Sequence, residues 1–232
     1  MDYIEEKSFA ASVIETVKTV VYALLIAGVF RTLFFQPFWI PSGSMKDSLL
    51  IGDFLFVNKM AYGYSYASCP KIQIASLGLN IDADDFCGFI EDRDTRIFGA
   101  TPERGDVVVF RHPVTGADYI KRLVGLPGDK IQMQGGVLQI NGTPVPRRQV
   151  EDFVETYEPQ GSQRNRPVCS NGAVGLGADC IKKKYFETLP NGLVHSVLDT
   201  FDQDSMRLGG RMNLDTTKVY TVPDGHFFFM GD

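Results

Sequence analysis

Pro41-Ser42-Gly43-Ser44-Met45 sets two hydroxyls two residues apart in a stretch shaped by proline and glycine, and Tyr119-Ile120-Lys121-Arg122 lies downstream. A serine hydroxyl is a weak nucleophile at neutral pH until a base takes its proton. Histidine is the usual base. Here His112, His195 and His226 are scattered, and His112 beside Pro113 reads as a solvated loop residue, so a Ser-His-Asp triad has little support. A lysine can serve if it is neutral, which requires burial to lower its pKa from about 10.4 by roughly 2–3 units, a cost of about 3–4 kcal/mol. Lys121 is the candidate. On period-2 alternation it shares a strand face with Tyr119 and Leu123, while Ile120, Arg122 and Val124 face the other way. Lys46 and Lys59 have less apolar strand surroundings. The same pattern also suits an edge lysine that guards against aggregation, and Ser-Gly-Ser recurs in ordinary turns. In the catalytic reading Pro41 fixes the approach, Gly43 permits a sharp turn, and Ser44 presents its hydroxyl. The Ser44 backbone N–H and the Ser42 hydroxyl are then placed to meet a developing oxyanion.

The elements that must hold these residues divide at Pro37. Before it, residues 19–30 carry no charge, but 12 residues fall short of the roughly 20 a bilayer span needs. A helix over residues 13–35, after a tail at 1–12, reaches that length and admits Glu15, Lys18 and Arg31. Lys18 and Arg31 lie near its ends and can snorkel, and Glu15 and Lys18 can offset each other at helical spacing. Phe34, Phe35, Phe38 and Trp39 gather where an interface would fall. The pattern predicts a transmembrane helix. The acidic N-terminus (Asp2, Glu5, Glu6, Lys7) and the lack of an Ala-x-Ala site argue against a cleaved leader. Charge bias gives no clear orientation.

After Pro37 short apolar runs alternate with Pro and Gly: residues 53–57, 106–110, 119–124, 130–133, 137–140, 219–222 and 226–230. They read as strands, with turns at Pro127-Gly128-Asp129 and Gly135-Gly136 and a hairpin at Asn141-Gly142. The expected fold is mainly β. Two stretches, 65–104 and 147–217, look like insertions. They divide the β region into a first part at 36–146, a smaller domain at 147–217 and a second part at 218–232. With 44% apolar residues and 17 Phe, the 232-residue chain can build a sizeable core. A net charge of −5 without a basic block points away from nucleic acid. Cys69, Cys87, Cys169 and Cys180 form no CxxC, so no metal site is expected, and no cofactor motif is present. Cys169 and Cys180 flank a Gly-rich stretch. If that domain lies outside the cytoplasm, a disulfide between them is expected, and Cys69 with Cys87 is a further candidate pair.

Five ordered motifs resemble bacterial type I signal peptidase: Pro-Ser-Gly-Ser-Met at 41–45, Gly-Asp-Phe-Leu-Phe-Val at 52–57, Arg-Gly-Asp-Val-Val-Val-Phe at 104–110, Asp-Tyr-Ile-Lys-Arg-Leu-Val-Gly-Leu-Pro-Gly-Asp at 118–129 and Phe-Phe-Met-Gly-Asp at 228–232. The resemblance implies a membrane-anchored serine endopeptidase with a barrel-like antiparallel β catalytic domain and a smaller inserted β-rich domain. It implies cleavage of signal peptides from secreted preproteins after small residues at −1 and −3, at the outer (periplasmic) face of the cytoplasmic membrane. Partners would be signal peptides, the lipid bilayer and the protein export machinery. By position, Ser44 matches the nucleophile, Lys121 the general base and Ser42 the side-chain oxyanion donor. Phe38, Ile40, Met45, Leu49, Tyr119 and Ile120 match the walls of the substrate pockets. Cys169 and Cys180 fall where some relatives carry a disulfide. Lys46-Asp47-Ser48 stands where Pro-Thr is common after the Met and its neighbour. The last family box continues past Gly-Asp with Asn-Arg-Asp-Asn-Ser, whose serine orients the lysine. This chain ends at Asp232, so the resemblance implies a fragment or a truncated form. An inactive or truncated membrane-anchored module that grips peptides by strand addition is the alternative.

Overall fold

The computed structural model describes residues 9–65, 68–69, 72–74, 78–81, 85, 88, 96–112, 114–200 and 214–232. Cys87 lies outside them, and with it the expected Cys69–Cys87 pairing; so does much of the 65–104 insertion. The described residues are mainly β, preceded by one helix, and the strand pairings are antiparallel. The chain divides into two compact units, Met1–Phe38 with Leu55–Ala100 and Trp39–Phe54 with Thr101–Asp232.

In the first unit α1 (Phe9–Leu33) begins four residues before the expected helix and buries none of its side chains. Apolar residues surround it on all sides, which suits lipid better than a one-sided protein core. Thr16 and Thr19 return their hydroxyls to the carbonyls of Ser12 and Glu15 at 3.0 and 2.9 Å, so the helix satisfies its own polar groups. At its C-terminal end Lys59 Nζ donates to Thr32 O at 3.3 Å and the Tyr64 hydroxyl to Leu33 O, meeting carbonyls that have no helical partner. The chain then enters β1 (Phe35–Trp39), which pairs with β2 (Phe54–Asn58). A short hairpin of β3 (Ile72–Ile74) and β4 (Leu79–Ile81) follows.

Among its described residues the second unit holds three sheets. β5 (Val107–Arg111), β6 (Asp118–Gly125) and β15 (Phe228–Met230) form one, in the order β15-β6-β5. β7 (Lys130–Gln134), β8 (Val137–Ile140), β9 (Thr143–Pro144) and β14 (Tyr220–Thr221) form a second, in the order β14-β7-β8-β9. β8 and β9 meet at Asn141-Gly142, both at positive φ (57° and 78°), as the two-residue hairpin requires. β10 (Arg147–Gln149), β11 (Phe153–Thr156), β12 (Asp179–Thr188) and β13 (Val194–Asp199) make a third sheet around β12. Cys169 and Cys180 are joined by a disulfide, with Cα atoms 5.1 Å apart. The core is Val124, Ile131, Leu138, Ile140, Val145, Leu189 and Val222, with Met133, Phe228 and Met230 packed against it. Each such side chain taken from water contributes roughly 2 kcal/mol.

Candidate active site

Ser44 stands on a loop closed at its base by backbone. Ile40 N–H donates to Asp53 O at 3.0 Å and Gly52 N–H to Ile40 O at 2.9 Å. Inside the loop, Lys46 N–H reaches Gly43 O at 3.2 Å and Leu49 N–H reaches Met45 O at 2.7 Å. Asp53 Oδ2 accepts from Leu50 N–H at 2.8 Å and closes the far turn. Ile40 and Met45, both fully buried, pin the loop into the unit and leave Ser44 half-buried at its surface. The sharp turn expected of Gly43 does not use glycine's left-handed freedom. Positive φ falls instead at Asp47 (82°) and Gly52 (98°), and a Cβ on Gly43 would make ordinary contacts.

β6 brings Lys121 to this loop. Lys121 pairs with Val108 across the sheet, and the next residue on its face, Leu123, is fully buried. Lys121 Nζ donates to Ser44 Oγ, and Ser42 Oγ lies 3.4 Å from the same oxygen. Among the described residues no acceptor takes the Ser44 backbone N–H. Burial lowers the Lys121 pKa from its ordinary value, while the negative charge of Asp232 acts the other way.

Lys46 departs from expectation. It is 4% exposed, so a lysine with poor strand surroundings is buried all the same. Its ammonium is engaged by Glu155 Oε2 at 2.5 Å and Gln160 Oε1 at 2.7 Å. Burial lowers its pKa too, but Glu155 opposes that by holding the charged form. The two lysines therefore differ in partner more than in burial: one faces a carboxylate, the other a hydroxyl.

Behind the pair lies a group of residues that sequence reasoning did not assign. Arg122 grips Asp232 with two bonds, Nε to Oδ1 at 2.7 Å and Nη2 to Oδ2 at 2.6 Å, and reaches Gly105 O at 2.8 Å. The Ser48 hydroxyl donates to Asp232 Oδ2 at 2.5 Å. Burial alone would raise the Asp232 carboxyl; the hydrogen bonds, those from Arg122 foremost, hold it at about 2. His195 Nδ1 lies 3.5 Å from Asp232, and its Nε2 lies 3.8 Å from Glu187, whose carboxyl burial pushes up. Gly231 presses on the serine loop: a Cβ there would sit 2.2 Å from Ser44 O. The alternation Arg122/Lys121 on one strand, with a carboxylate in a distant motif, was the one signal that could have linked Arg122 to Asp232.

Ile40, Met45 and Ile120 are buried, Leu49 is half-buried, and Tyr119 is 39% exposed beside Phe110 and His112. Phe38 lies half-buried on β1, in the first unit. His112 is held in its turn, where Nδ1 accepts from the N–H groups of Val114 and Thr115 at 3.2 and 3.1 Å. Among the described residues no cluster of His, Cys, Asp or Glu is arranged to hold a metal.

The profile of a family described as signal peptidase, peptidase S26, matches residues 13–232. Signal peptidase I of Rickettsia typhi is 36% identical over 216 residues, covering 91% of this chain and 66% of that protein. The Rickettsia prowazekii enzyme matches to the same extent, and that of Rickettsia canadensis is 34% identical over 219 residues, 93% of this chain and 67% of the relative. The chain thus spans about two thirds of the length of the curated relatives it matches.

Proposed function

Because this chain belongs to the signal peptidase, peptidase S26, family, we propose that it is a membrane-anchored serine endopeptidase that removes signal peptides from secreted preproteins, with Ser44 as nucleophile and Lys121 as general base. The observation that carries the reading is the bond between Lys121 Nζ and Ser44 Oγ, made by a lysine whose burial favours the neutral form. Neutral Lys121 takes the Ser44 proton as Oγ attacks the scissile carbonyl. The tetrahedral intermediate collapses to an acyl-enzyme, and Lys121 passes the proton to the departing amine of the mature protein. The same lysine then deprotonates the water that releases the signal peptide. The free N–H of Ser44 and the Ser42 hydroxyl serve the oxyanion.

Ile40, Met45, Leu49, Tyr119 and Ile120 form pocket walls that admit small residues at −1 and −3, since a larger side chain would overpack them. The substrate binds as an added strand beside β6. The helix α1 anchors the enzyme in the cytoplasmic membrane. The Cys169–Cys180 disulfide supports a catalytic unit on the outer face, where disulfides persist.

Cleavage of a preprotein by Ser44→Ala and Lys121→Ala tests the assignment. Each substitution in the full chain should lower kcat/KM by at least ~1,000-fold with the fold retained. Near-normal cleavage by either variant would sink it, and peptide binding without turnover by the unaltered chain would favour a binding module instead.

A further inference from the structure

The loop that carries Ser44 is tied by charge to the sheet around β12, and the acyl transfer itself uses none of those charges. Lys46 runs back beneath the turn, where a Cβ on Gly43 would meet Lys46 Cε at 3.4 Å. It ends on Glu155 of β11 at 2.5 Å, and Lys182 of β12 holds the other Glu155 oxygen at 2.7 Å. Gln160 binds both partners, accepting from Lys46 at 2.7 Å and donating to Glu155 Oε2 at 2.6 Å. The side chains of Lys46, Glu155 and Lys182 are at most 10% exposed. The next residue, Asp47, sits at φ 82°, and both its carboxylate oxygens meet Lys184 Nζ, at 2.9 and 2.8 Å. A steric contact completes the tie: a Cβ on Gly161 would lie 3.0 Å from Ile51 Cγ2 and 3.2 Å from Pro41 O. The segment from Glu155 to Gly161 therefore backs both ends of the loop.

Buried ion pairs add little net stability, because desolvation offsets their attraction, but removing one partner strands a charge. A non-glycine residue in the left-handed region persists where its surroundings over-determine it. Acyl transfer is exacting about position: a shift of about 1 Å in a reacting group costs on the order of 100-fold in rate. We propose that Lys46 and Asp47, clamped by Glu155, Lys182 and Lys184, are positioning residues that set where the Ser44 hydroxyl stands relative to Lys121. They act through the backbone from Ser44 to Asp47 and touch no reacting atom. The inference rests on the reading of Ser44 as nucleophile.

The test is steady-state cleavage of a preprotein by the full chain, below the melting transition of every variant. Glu155→Gln and Lys46→Met should lower kcat about 10-fold with KM within twofold of the original, because the peptide-binding strand edge is untouched. Lys46→Arg, which keeps the pair to Glu155, should recover kcat to within about threefold. Asp47→Asn and Lys184→Met should each lower kcat, and their double variant should lose no more than the worse single one. Original kcat in Glu155→Gln and Lys46→Met, with Ser44→Ala inactive, would overturn the positioning role. So would a loss that Lys46→Arg does not relieve. An active Ser44→Ala would instead remove the nucleophile assignment on which the inference depends.

Discussion

At the scale of single residues, Lys121 has the environment that its proposed role as general base asks for. Burial depresses its pKa below that of an ordinary lysine, and the charge of Asp232 limits the fall. The proposed mechanism needs a neutral base, so kcat/KM should rise with pH through the Lys121 pKa and then level off. A fall in rate from pH 7 to 9 in the folded enzyme would argue against a lysine base. Asp232→Asn removes the charge that raises the Lys121 pKa, so the rising limb should move to lower pH; a shift to higher pH would contradict the electrostatic account. Asp232 also links stability to pH. Its folded value of about 2 lies below the unfolded value near 3.9, so its stabilising contribution is present above about pH 4 and is lost as pH falls towards 2. In acid titration followed by denaturant unfolding, wild type should be more stable than Asp232→Asn above about pH 4, and the difference should shrink as pH falls towards 2. Gly231 is a matter of space. Its Cβ would lie 2.2 Å from the Ser44 carbonyl oxygen, so Gly231→Ala must displace backbone. The expected cost is about 2–3 kcal/mol in thermal unfolding, with loss of cleavage.

Among the elements, β8 with its Asn141-Gly142 turn was legible because pattern and turn chemistry agree: apolar residues alternate and the turn residues adopt the left-handed conformation easily. Strand β12, the longest, was not. Its Asp-Cys-Ile-Lys-Lys-Lys-Tyr-Phe-Glu-Thr reads as a polar stretch, yet Lys182 and Glu187 are buried, one against Glu155 and the other near His195. Charges that face inward erase the alternation on which strand reading depends. The disulfide at the start of β12 closes an 11-residue separation. By chain entropy such a link contributes about 3 kcal/mol. Cys169→Ser with Cys180→Ser should therefore lower unfolding stability by roughly that amount in denaturant titration. An unchanged midpoint would show that the Gly-rich stretch is already ordered without the link.

For the whole molecule, the helix governs where the protein resides. The 25 residues of α1 span about 37 Å at 1.5 Å per residue, enough to cross a hydrocarbon core of about 30 Å. None of its side chains is buried, and Leu24, Leu25 and Ile26 are more than half exposed, leaving lipid as their natural cover. Alkaline extraction should leave the full chain in the membrane fraction. Leu25→Lys with Ile26→Lys, each costing about 3 kcal/mol at a bilayer centre, should release it.

Local chemistry was readable in the sequence: the apolar helix, the short strands with their turns, and a Ser-Gly-Ser segment matched by a lysine on an apolar strand. These depend on residues close together in the chain, whose periodicity and turn preferences act locally. The sequence singled out Lys121, but only the tertiary structure shows how it reaches Ser44 and where the nearer lysine goes instead. Lys46, two residues away, is turned beneath the loop towards Glu155, while Lys121, far along the chain, is delivered by β6. It also decided that Arg122 and Asp232 pair, and that Gly231 rests on the serine's carbonyl. The reason is physical: burial and charge pairing are set by which distant strands pack together, and no local pattern carries that information.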